Sequence, residues 1–137
     1  VKIFLDANII VSVLNKEYPL FTYSSRLLSL ADSSKHEIHT SPICLAISFY
    51  FAEKKSGSKN AKSKIELLTS KINIATTDEE AVSLALQNKA VLDFEDGLEY
   101  YSALRSGCDY IITEDVDDFH FSEIIVMRCE QFLSEML

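Results

Sequence analysis

Val1-Lys2-Ile3-Phe4-Leu5-Asp6-Ala7-Asn8-Ile9-Ile10 joins two kinds of segment. Its first half is an apolar run with the length and β-branched content of a buried parallel strand, and its second half reads as a helix start. Asp6 sits at the junction. A comparable junction follows Tyr110-Ile111-Ile112-Thr113, a short core strand with Asp115 and Asp118 just beyond it. In an open parallel sheet, side chains past the carboxyl ends of the strands converge where strand order reverses, and ligands bind there. Asp96, near the start of a later helix, is a fourth acid that such a crevice gathers. Carboxylates brought together in this way repel one another unless a cation joins them. A set of oxygen ligands suits magnesium or manganese better than softer metals. The first expectation is therefore a metal-dependent phosphoryl-transfer site.

The remaining pattern alternates strands and helices. A short helix is predicted over Asn8 to Leu14, then an amphipathic helix from Leu20 to Ser33 with Phe21, Leu27, Leu28 and Ala31 on one face. Glu37 to Thr40 reads as a strand. Pro42 suits a first helical position, where its missing N–H costs no hydrogen bond, and Ile43 to Glu53 is apolar enough to be buried on most sides. Ser56-Gly57-Ser58 breaks that helix, and Asn60 to Ser70 forms the next. Ile72 to Ala75 reads as a strand, and Asp78 caps a helix running to Asn88. Asp93 to Ser106 is a further helix, ended by Gly107. Asp109 to Thr113 and Ile124 to Met127 are strands, and Glu130 to Met136 is a final helix. Strands separated by helices imply a parallel sheet covered on both faces.

Size and composition narrow the functional classes. The 137 residues are one domain's worth, 1–137, with no repeat or linker. No apolar stretch approaches the roughly 20 residues that span a bilayer, and no secretory signal is recognisable, so a cytoplasmic protein without membrane contact is expected. The three cysteines, Cys44, Cys108 and Cys129, lack zinc-type spacing and read as buried free thiols. A net charge of −8 argues against indiscriminate binding to polyanions. Its distribution is uneven: Lys54, Lys55, Lys59, Lys62, Lys64 and Lys71 cluster with only Glu66 among them, whereas Asp93 to Glu123 is strongly acidic. The lysines form either a phosphate-contacting surface beside the cleft, with Lys54, Lys55 and Lys59 the substrate-binding candidates, or a solvated helix face.

Three motifs in order resemble a PIN domain: Lys2-Ile3-Phe4-Leu5-Asp6-Ala7-Asn8-Ile9, Asp93-Phe94-Glu95-Asp96-Gly97-Leu98-Glu99-Tyr100-Tyr101-Ser102-Ala103, and Cys108-Asp109-Tyr110-Ile111-Ile112-Thr113-Glu114-Asp115-Val116-Asp117-Asp118-Phe119. An aspartate after a first strand also occurs in receiver domains and haloacid-dehalogenase-like phosphatases, so the specificity lies in the ordered set. The resemblance implies an α/β fold of three layers, α/β/α, around a central parallel sheet. It also implies magnesium- or manganese-dependent endoribonuclease activity, often in the toxin of a toxin–antitoxin pair, with an RNA substrate, an antitoxin partner and a homodimer. By the same resemblance Asp6, Asp96, Asp115 and Asp118 are the metal-binding and catalytic acids, and Asn8 orients loop or substrate.

This chain departs from the family pattern at three places. Ile47 stands where many PIN domains carry a glutamate, Ala7 stands where a threonine or serine is common, and Glu114 replaces a frequent arginine, adding negative charge beside the phosphate path. Asp93, Glu95 or Glu99 are the acids available to compensate. Asp93 also reads as a simple helix cap. His36, His39 and His120 lack ligand spacing, and burial is the expectation for Phe49-Tyr50-Phe51 and for at least one of Tyr100 and Tyr101. Two functions compete: a metal-dependent ribonuclease, and a catalytically weakened PIN fold kept as an RNA- or protein-binding module.

Overall fold

The computed structural model describes residues 1–137 and builds them around a five-stranded sheet of order β3-β2-β1-β4-β5, parallel throughout. The strands are β1 (Lys2–Leu5), β2 (Glu37–Thr40), β3 (Asn73–Ile74), β4 (Tyr110–Ile112) and β5 (Ile125–Met127). Between and after them lie α1 (Ala7–Leu14), α2 (Leu20–Leu28), α3 (Pro42–Ser56), α4 (Ser58–Thr69), α5 (Glu79–Gln87), α6 (Phe94–Arg105) and α7 (Cys129–Met136). The expected α/β sandwich with a central parallel sheet is what forms. Side chains alternate between the two faces of a strand, and Ile3, Phe4 and Leu5 are all buried, so helices cover β1 on both sides. Ile111 and Ile112 of β4 are buried likewise, and each such side chain contributes roughly 1.5–3 kcal/mol relative to an exposed position.

Strand order explains where the acids meet. The chain winds outward from β1 to β2 and β3, then returns to lay β4 and β5 against the other edge of β1. The reversal therefore falls between β1 and β4, whose register pairs Leu5 with Ile112. Residues 6–8 and 113–118 leave the sheet side by side. The Asp6 N–H donates to the Ile112 carbonyl at 3.0 Å, carrying the pairing one residue past the strand.

Several elements differ from the sequence-based expectations for physical reasons. The helix expected to run to Ser33 leaves α geometry after Leu28 and tightens into a 3-10 turn over Ser29–Asp32, with the Ser29 hydroxyl donating to the Arg26 carbonyl at 2.6 Å. β3 is a two-residue edge strand with both residues exposed. A 3-10 turn at Val116–Phe119, absent from the expectations, carries Asp118. The largest difference is α3, expected to be buried on most sides. Only Cys44, Ser48 and Ala52 are fully buried, a narrow stripe of small residues four apart, whereas Tyr50 and Phe51 are 50% and 46% exposed. Gly57, at φ +85°, ends α3, and Gly107, at φ +74°, ends the α6 segment; both take a positive φ that glycine tolerates.

Candidate active site

Each acid is placed by an element terminus. Asp6 caps α1: one carboxylate oxygen accepts from the Ala7 N–H at 2.6 Å and the other accepts from the Thr113 hydroxyl at 2.7 Å. The Thr113 oxygen also accepts from the Asn8 amide at 3.2 Å and from the Asp115 N–H at 3.0 Å. Asn8 completes the lock, donating to Asp115 Oδ2 at 3.2 Å and accepting from the Glu114 N–H at 3.3 Å. One buried hydroxyl at the end of β4 thus ties the β1 acid to the loop carrying the last two. Asp93 caps α6, accepting from the Asp96 N–H at 3.2 Å, which sets Asp96 in the first turn.

Glycine is required next to Asp96. A Cβ on Gly97 would lie 2.6 Å from Val91 Cγ1 and 3.1 Å from the Ala85 Cβ, so α6 reaches α5 and its loop only because that side chain is absent.

Asp6, Asp96, Asp115 and Asp118 line one cleft of about 420 Å³, together with Asp93, Glu95 and Glu17. No lysine, arginine or histidine lines it, and the ion pairs of the molecule, Arg105 with Asp78 and Glu80 and His39 with Glu37, involve none of its residues. Partial burial, reinforced by the carboxylates of Asp93, Asp118, Asp6 and Glu95, pushes the Asp96 carboxyl up to about 7. Glu95 is raised by burial, then by Asp93 and Asp6.

Beneath the cleft, Glu99 is 1% exposed and accepts from the Cys44 thiol at 2.9 Å. Burial pushes the Glu99 carboxyl far above the usual carboxylate range, so it stays the neutral acid at pH 7, and burial likewise pushes the Cys44 thiol up to about 11. Ligand atoms of Asp6, Cys44 and Glu99 lie within 4.8 Å of one another, as do those of Glu95, Asp96 and Glu99. Glu99 therefore joins the β1 acid to the α6 acids.

The structure brings the four sequence-predicted acids and Asn8 into one place, and it leaves the lysines outside. Lys54 lies over the Tyr50 ring, 4.7 Å from its centroid; Lys55 donates to the Asn15 carbonyl; Lys59 is exposed at the start of α4. Ile47 lines the cleft, so no carboxylate enters from that position. Glu114, expected beside the phosphate path, instead turns to α7, where its carboxylate accepts from the Cys129 N–H at 3.1 Å; a helix N-terminus attracts it there. The hydroxyl missing at Ala7 has a counterpart in Thr113. Sequence reading missed Thr113, Glu17 and Phe51 as members of the site: a strand-end threonine and an exposed phenylalanine carry no local signal. The three cysteines are buried free thiols, Tyr100 is buried, and Tyr50 and Phe51 depart from the expected burial.

The sequence and the fold both match known proteins. The chain is 28% identical over 135 residues to Ribonuclease VapC1 of Aquifex aeolicus (strain VF5), covering 96% of this chain and 92% of that protein. Its fold superposes with a TM-score of 0.71 on a chain of the Rickettsia felis VapBC2 structure bound to a DNA fragment from their promoter, at 19% identity, covering 93% of this chain and 98% of that one. The same TM-score is found for Mycobacterium tuberculosis VapC20, a Sarcin-Ricin loop cleaving toxin, at 15% identity and covering 92% and 98%. The PIN domain family model matches residues 2–117, which span every acid of the cleft except Asp118, and the chain belongs to the PIN domain family.

Proposed function

We propose that the chain is a metal-dependent endoribonuclease that hydrolyses RNA phosphodiester bonds. The observation that carries this reading is the cleft itself, with acids from β1, α6 and the β4 loop converging where no cationic side chain balances them. The donors fit a hard divalent cation: they are carboxylate oxygens, and the Asp96 carboxyl, raised first by burial and then by the carboxylates around it, is one whose ionised form a cation stabilises. Asp6, Asp96, Asp115 and Asp118 would hold magnesium or manganese. When bound, such an ion supplies Lewis-acid charge at the scissile phosphate and lowers the pKa of a water nucleophile. Thr113 and the Ala7 N–H each occupy one lone pair of Asp6 and fix its orientation, leaving further acceptor capacity on both oxygens. Asn8 fixes Asp115 in the same way.

The test uses chelator-stripped protein and its Asp6→Asn variant, each incubated with a mixed structured RNA and added manganese or magnesium. Cleavage by the unaltered protein alone, dependent on metal, is the expected result. Cleavage retained in Asp6→Asn removes the proposed site. Ile47 in the cleft supports a second reading, a PIN fold with weakened catalysis that acts by binding RNA or protein; absence of both cleavage and calorimetric metal binding selects it.

This reading includes a role as the toxin of a toxin–antitoxin pair, supported by the similarity to Ribonuclease VapC1. It also includes a homodimer, checked by sedimentation. A surface for a protein partner lies apart from the acidic cleft: a groove of about 400 Å³ lined by Val13, Leu14, Leu28 and Leu67 together with Lys16, Asp32, Lys64 and Lys71. Co-expression with a small DNA-binding protein encoded beside the chain is expected to suppress RNA cleavage. No helix is long and apolar enough to cross a membrane, consistent with action on RNA in the cytoplasm.

A further inference from the structure

The cleft has two sides of different chemistry. Its acids come mainly from the start of α6 and the Val116–Phe119 turn, which contact each other. Its apolar lining comes from α1 and α3, which also pack together: Ala7 and Val11 are one turn apart on α1, and Ile47 and Phe51 one turn apart on α3. An aromatic ring 46% exposed inside a carboxylate-lined cleft contributes little to the core. Its mounting is nevertheless firm. Phe51 meets the Tyr50 ring edge-on, with centroids 5.2 Å apart and an interplanar angle of 88°, and its carbonyl accepts from the Asn15 amide at 3.3 Å.

We propose that Ile47 and Phe51, on the side of the cleft that the buried Val11 also lines, form a shelf on which one unpaired nucleobase of the RNA stacks while the phosphate attached to that nucleotide faces the acids. The proposal rests on the ribonuclease reading. Every base has a π face, so a phenylalanine beside a phosphate site favours single-stranded RNA over a paired helix, whose bases are not free to leave the stack. Ile47 then gains a role: a carboxylate there would put charge into the wall that the base covers.

The test is binding of a short single-stranded RNA carrying 2-aminopurine, whose fluorescence is quenched by stacking, with manganese present. Each variant is made in the unaltered protein and in an Asp96→Asn background that prevents turnover. Phe51→Ala is expected to weaken binding about tenfold, the loss of one base–aromatic stack, and to abolish the quench, whereas Phe51→Tyr keeps both. Because the ring is half exposed, unchanged circular dichroism is expected for both variants. Equal binding and quenching in Phe51→Ala overturns the shelf, as does a Phe51→Tyr variant that behaves like alanine. Quenching by a protein that never cleaves RNA supports the shelf and removes the nuclease reading. Cleavage with an unaffected Phe51→Ala variant does the reverse.

Discussion

Helices α3 and α6 both begin with a capping side chain, Ser41 and Asp93, and both border the same cleft, yet they supply it with opposite things. α6 brings three acids in its cap and first turn, where the unpaired N–H groups of the helix favour negative charge. α3 brings Ile47 and Phe51 from its second and third turns. A helix N-terminus can concentrate carboxylates at modest cost, whereas a carboxylate further along α3 would have only side chains to offset it. The chain has put its charge where backbone dipoles help hold it and its apolar contact surface where they do not.

The largest expected effect breaks the acidic side. Asp96→Asn should lower metal-dependent RNA cleavage by about 100-fold or more, the scale of losing a ligand rather than its support. The same substitution should raise the melting temperature of metal-free protein above neutral pH, because it removes a carboxyl that the site resists ionising. Loss of stability instead would show that Asp96 is a structural residue. Next in size is Gly97→Val, which drives a side chain into Val91 and Ala85. A cost of roughly 1–3 kcal/mol is expected, read as a lower urea midpoint with unchanged slope.

Ile47→Glu sharpens the comparison from the α3 side. Adding a carboxylate there should tighten manganese binding about tenfold by calorimetry while weakening single-stranded RNA binding, so that the two measurements move in opposite directions. If both improve, the apolar wall has no part in RNA binding.

The smallest effect is a drift with pH. The Asp96 carboxyl is raised from 3.8 to about 7, so its stabilising contribution in the neutral form is complete below 3.8 and is lost as pH rises through about 7. Metal-free protein should therefore melt progressively lower across that window. Saturating manganese should flatten the trend, since the bound ion favours the ionised form. A metal-free melting temperature that rises between pH 5 and pH 8 would contradict the assigned direction.

The sheet was legible in the sequence because buried parallel strands are short apolar runs, and Phe4-Leu5 and Ile111-Ile112 have no other use. The four acids were legible because each follows such a run or opens a helix. The lining of α3 was not. Phe49-Tyr50-Phe51 looks like core in one dimension, and only packing of the small stripe Cys44, Ser48 and Ala52 turns Tyr50 and Phe51 outward. Glu114 was misjudged for a related reason: its neighbours in sequence are cleft residues, but its partner is the N-terminus of α7, fifteen residues away. Side-chain direction at a strand end depends on what packs beside it, and that comes from distant segments.

The Thr113 hydroxyl joins residues more than a hundred positions apart. That separation sets a schedule. During synthesis Asp6 emerges early, but it has no Thr113 to seat it and no Asp115 beside it until nearly the whole stretch has been made. A chain interrupted anywhere before β4 is thus an unfinished tool, without the loop that carries Asp115 and Asp118. Fragments ending before residue 113 should be inert toward RNA at any metal concentration, and the protein's first opportunity to act comes only when its last strands fall into place.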